Sequence, residues 1–155
     1  MKKLITILAI SLITFQCHSQ DVMETKMEAR AKEFYKILGK NEPEQYKLFM
    51  KENYTKAFLE KPVKVNRQTS GDGPQDNSSQ NDNKTLNGLD AKAEMFRQLH
   101  QDFGDSKLIS LKRQDAKMVM VLSANSGLTG TFTLTFEKNT PFKIDGIGVE
   151  ADMSK

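Results

Sequence analysis

The chain has one cysteine and two histidines, so its most reactive side chains are few. Cys17 sits in LITFQCHSQDV, residues 12 to 22, next to His18, where an apolar run gives way to polar sequence. A working thiol needs a cationic, basic or metal-binding neighbour to make its thiolate, and in this stretch only His18 could serve as one. His100 lies in HQDFGD, residues 100 to 105. Its intrinsic pKa suits a general base, but on a helix Asp102 is two residues away and points to another side. With His18 and His100 as the only histidines, no histidine-based metal cluster is expected. No serine has lysine three residues on, and G-x-S-x-G is absent, so the common serine-nucleophile motifs are missing. No cofactor is implied, and the residues favour binding over catalysis.

The apolar run itself has another explanation. Lys2 and Lys3 precede LITILAISLITF, Leu4 to Phe15, in the order of a secretory leader. A membrane span needs about 20 consecutive apolar residues, and this run is shorter. The expectation is a leader over 1–20 with cleavage after Gln20, export to the periplasm or the exterior, and no membrane span. Lipidation at Cys17 would need a small residue before the cysteine; Gln16 and Phe15 stand there and favour a removed leader over a lipid anchor. Loss of Lys2 and Lys3 lowers the formal charge of +3 by two. Such a weak field excludes a phosphate-backbone partner, so no nucleic acid is expected.

Residues 21–155 read as one domain. Met27, Ala31, Phe34, Tyr35 and Leu38 recur at helical spacing and Gly39 stops the run. In NEPE, Asn41 is the expected cap of a second helix carrying Tyr46, Phe49 and Met50, with Pro43 in its first turn and Glu44 completing a capping box. Thr55 should cap a short third helix that Pro62 ends. TSGDGPQDNSSQNDNKTLNG, 69–88, has one apolar residue, Leu86, and is expected to be a mobile polar insertion; its acids do not match calcium-loop spacing. A fourth helix carries Leu89, Ala93, Phe96, Leu99 and Phe103, with Gly104 at its end.

The period then changes to two. KLISLKR, AKMVMVLSA, GTFTLTFEK and FKIDGIGVE read as four strands joined by short turns, with a bulge expected near Gly146 and Asp145 expected to face solvent. Helices first and an antiparallel meander afterwards predict an α+β domain, a cone of helices against a curved four-stranded sheet. Tyr35, Tyr46, Phe96 and His100 are the candidate lining of a ligand cavity between helices and sheet. Met118, Val119, Met120 and Val121 make both faces of the second strand apolar, although a meander packed on helices needs one such face. This strand is therefore a candidate interface for a second copy or another protein.

EARAKEFYKILGKNEPEQYKLFMKENYT, MFRQLHQDFGD, KLISLKR, GTFTLTFE and PFKIDGIGVE together resemble a small accessory domain of the nuclear transport factor two-like superfamily, found ahead of secreted bacterial beta-lactamase-like serine hydrolases and tail-specific proteases. The resemblance spans about 27 to 150 without the polar insertion, and the closing PFKIDGIGVE is its most specific part. The matching positions are apolar and turn residues, so the resemblance implies a fold. It implies a non-catalytic accessory module with a hydrolase or protease as partner; the cavity between helices and sheet could instead take a small apolar ligand, and the second strand a second copy. A small isomerase or hydrolase using His100 in the cavity, and a lipid-anchored envelope protein, are the alternatives.

Overall fold

A computed structural model describes residues 21–62 and 88–153 of the chain. The expected leader, Cys17, and 69–87 of the expected polar insertion lie outside the described residues. The order is α1 (residues 21–38), α2 (Pro43–Asn53), α3 (Lys56–Glu60), α4 (Gly88–Phe103), then β1 (Lys107–Gln114), β2 (Lys117–Ser123), β3 (Leu128–Phe136) and β4 (Ile144–Met153). The four strands form one antiparallel sheet in the order β1-β2-β3-β4, an open meander, so the chain is α+β as the pattern predicts.

Helix α1 buries the stripe that its spacing predicts: Met27, Ala31, Phe34 and Leu38 have no exposed surface. The start of α2 differs from expectation. Glu42, not Asn41, is the N-cap residue, and no side chain caps the helix. The reason is Pro43 at the first helical position, which pushes the residue before it into extended backbone; Glu42 has φ −128° and ψ 93°. Its carbonyl then accepts from the Gln45 and Tyr46 N–H groups. Thr55 caps α3 as expected, its Oγ1 accepting from Phe58 N at 3.1 Å.

The ends of α3 and β4 are joined directly. Thr55 N donates to Ile144 O at 2.9 Å, Tyr54 forms a parallel bridge with Ile144, and Thr55 Oγ1 donates to Asp145 Oδ1 at 2.6 Å. Asp145 is thus a hydrogen-bond acceptor rather than the solvent-facing residue its phase suggests. It is also the extra residue of a bulge: Thr135 pairs with Gly146 and Phe136 with Ile144. A second bulge, invisible in the sequence pattern, places Ile109 between the pairs Leu108–Leu122 and Ser110–Val121.

One face of the sheet is core. Met118, Met120, Leu122, Phe132, Leu134 and Ile144 point into it and are buried. The α4 residue Phe103 lies so close to β3 that a Cβ on Gly130 would sit 2.6 Å from its ring. The same Cβ would lie 2.9 Å from the Phe132 ring, which packs edge-on against Phe103 at 5.1 Å. Glycine is needed at 130 for approach, not for backbone freedom. The same holds at the end of α4, where a Cβ on Gly104 would meet the His100 ring at 2.6 Å.

This packing sets the expected response to two substitutions. Gly130→Ala should lower stability by roughly 1–3 kcal/mol through overpacking, read as a lower urea midpoint, and Phe103→Leu in the same chain should recover part of it. The Tyr54 hydroxyl is buried without a hydrogen-bond partner. Tyr54→Phe removes an unsatisfied group and should leave the midpoint unchanged or raise it, by up to about 1 kcal/mol.

Candidate functional site

The four expected cavity residues separate into two places. Tyr46 and Phe96 are core: their rings lie 4.6 Å apart and neither has exposed surface. They pack the space between helices and sheet rather than line an accessible cavity. The Tyr46 hydroxyl donates to Lys40 O, and burial pushes its ionisation upward. Tyr35 and His100 stand apart, where α1 and α4 both end. Tyr35 OH donates to Ser106 O at 2.8 Å. His100 Nδ1 lies 2.7 Å from Leu38 O.

A carbonyl only accepts, so Nδ1 carries the proton and a neutral ring keeps Nε2 as its acceptor. His100 therefore satisfies one of the carbonyls that the end of α1 leaves without an intrahelical partner. The ring is also pressed on Gly104, whose N–H bonds to His100 O at 2.7 Å. An open cleft of about 460 Å³ borders this junction, lined by Asn41, Arg97, His100, Asp102, Asp105 and Asn125 among others. Arg97 is held by a bidentate contact to Glu94, at 2.9 and 2.6 Å. Two acids, an arginine, a histidine, a serine and amides make the cleft polar. Among the described residues no three His, Cys, Asp or Glu side chains come together as a metal site.

The candidate interface on β2 also divides. Met118 and Met120 are buried against the helices and cannot serve as surface. Val119 and Val121 are half-buried on the opposite face. There they sit in cross-strand rows: Lys112, Val119, Thr133 and Gly148, and next to it Ser110, Val121, Thr131 and Glu150. Ile109, the bulged residue beside Ser110, is 62% exposed. The helix-to-sheet ring contacts, Phe34 with Phe132 and Phe103 with Phe132, fall on the other side.

Sequence reasoning misses Lys92. It is 3% exposed, with Nζ 4.2 Å from the centre of the Phe58 ring. The signal is present: Leu89, Lys92, Phe96, Leu99 and Phe103 step by three and four, so a lysine stands on the apolar stripe. Removal from water, and then repulsion from Lys61, hold its pKa below the usual lysine value. The ring face attracts an ammonium by about 0.5–2 kcal/mol, which offsets part of that cost and keeps the side chain in place.

Comparison with family models, curated proteins and solved structures returned no match. Among the described residues no helix is long and apolar enough to cross a membrane.

His100→Ala removes the donor to Leu38 O and should cost roughly 1–2 kcal/mol in urea unfolding. His100→Asn, whose amide can replace the Nδ1–H, should recover most of this. A catalytic role for Nε2 predicts instead that both variants abolish turnover equally, whatever their stability.

Proposed function

We propose that this chain is an exported, non-catalytic docking module of the nuclear transport factor two-like kind, and that it binds through the outer face of its sheet. The observation that carries the reading is that Val119 and Val121 are only half-buried there, beside exposed Ile109, while the helices pack on the other face. The order of helices followed by an antiparallel meander supports the fold resemblance. The leader-like segment at 1–20 supports export.

The occupant that fits this face best is a second copy of the chain. Its β1 side carries Lys107 and Lys112, paired across the ladder with Ser123 and Val119. Its β4 side carries Asp152 and Glu150, then Gly148 and Gly146, opposite Thr129, Thr131, Thr133 and Thr135. A twofold axis along the strands stacks the β1 edge of one copy on the β4 edge of the other. Lys107 then faces Asp152, Lys112 lies over the side-chain-free Gly148, and the valines meet threonine methyl groups. An axis across the strands would stack lysine edge on lysine edge and acid edge on acid edge. Opposite charge and large-against-small contact both select the first arrangement.

Light scattering should show a dimer. Lys107→Glu and Asp152→Lys should each weaken it by about tenfold, since every change breaks two symmetry-related pairs and sets like charges together, and the double variant should restore it. A wild-type monomer would remove the second copy as occupant and leave a different protein, such as a hydrolase or protease lacking its own accessory domain.

A further inference from the structure

We propose that Ile109 is the anchor of the sheet-to-sheet pairing, a side chain that enters a hollow on the outer face of the second copy, between Thr129, Thr131, Glu150, Ala151 and Asp152. This anchor rests on the pairing of two copies proposed above, and it fixes the register in which they meet. The bulge in β1 is its origin. Leu108 pairs with buried Leu122 and packs on the core, so the next residue along the strand, Ile109, points to the outer face. Ser110 pairs with Val121 on that same face. The bulge thus sets two neighbouring side chains on one side of β1. Ile109 is 62% exposed, more than any other large apolar side chain among the described residues.

The opposite edge of the same face is concave. An open hollow of about 580 Å³ is lined by Thr129, Thr131, Glu150, Ala151 and Asp152. Four of these residues end two cross-strand rows. One row runs Lys107, Ser123, Thr129, Asp152, and the next runs Ser110, Val121, Thr131, Glu150. Ile109 stands between these rows at the β1 edge, and the hollow lies between the same rows at the β4 edge. A twofold axis along the strands keeps each row at its own level and exchanges the edges. It therefore carries Ile109 of each copy to the hollow of the other.

The chemistry of the hollow suits such an occupant. Thr129 and Thr131 bring methyl groups to it, while its acids form a rim where Asp152 meets Lys107 and Glu150 meets Ser110 of the other copy. An apolar centre inside a polar border is the usual build of a specific interface. An axis across the strands would instead bring β1 over β1, with Ile109 away from either hollow.

The test is oxidative crosslinking of the full chain, with Cys17→Ser in every copy. Chains carrying Ile109→Cys are mixed with chains carrying Thr131→Cys at a concentration where light scattering shows the wild-type dimer. The mixed disulfide should form about tenfold faster than the disulfide between two Ile109→Cys chains, because the pairing holds the two thiols together. Linkage of two Ile109→Cys chains at an equal or higher rate overturns the placement in the hollow. Ile109→Ala should weaken the dimer by about tenfold or more, since each dimer loses two anchors, and it should leave the urea midpoint of the dilute monomer unchanged. A dimer that keeps its wild-type strength with Ile109→Ala overturns the anchor and leaves the docking face standing. A wild-type monomer removes the paired copies, and the anchor with them.

Discussion

Phe34 is the point on which the fold closes. From the C-terminal half of α1 it meets Phe96 of α4 at 5.1 Å, Phe132 of β3 at 6.0 Å and Phe49 of α2 at 6.2 Å. Four elements, one of them a strand, therefore share a single aromatic cluster. Rings at these distances and tilts bury large apolar areas and favour edge-to-face geometry. The sheet has an apolar face that must be covered, and most of a helix's stability in a protein comes from packing its apolar face. Each half supplies the surface that the other must bury.

Polar contacts then decide how the halves are aligned. Arg30 of α1 reaches Asn53 Oδ1 of α2 at 3.0 Å and the carbonyls of Pro141 and Phe142 at 2.7 and 3.1 Å. One guanidinium so ties two helices to the β3–β4 connection, where Phe142 is buried with φ +57°. Towards the C-terminal end of α1, Tyr35 and His100 perform the corresponding task by donating to carbonyls across the α1–α4 junction. His100, weighed in the sequence as a base or a cavity residue, has its Nδ1 engaged in this frame.

The pattern of apolar residues is legible wherever burial alone decides the outcome. The stripe of α1, the helix-to-strand change after Gly104, the two faces of β2 and the irregularity at Asp145 and Gly146 all arise from period. What period cannot reveal is which polar group finds which partner. Glu42 replaces Asn41 at the cap because Pro43 restrains its neighbour, a local effect that outweighs cap preference. Gly104 reads as a left-handed helix stop, but its purpose is room for the His100 ring. Tyr46 and Phe96 read as cavity lining because aromatic residues suit either role, and only three-dimensional packing separates the two. Lys92 escapes the pattern because charge ordinarily marks surface, although its place on the stripe says otherwise.

The joint between α3 and β4 has a consequence for how the chain reaches this structure. Thr55 and Asp145 are 90 positions apart, and the bridge from Tyr54 to Ile144 spans the same distance. Until the last strand is available, α3 has neither its backbone partner nor its side-chain partner, and the aromatic cluster lacks the edge that Ile144 closes. Contacts of such separation carry a large loop-closure cost and slow folding. The joint between α3 and β4 therefore closes only after the last strand has been made, and it ties the folding of the helices to the end of the chain's sheet.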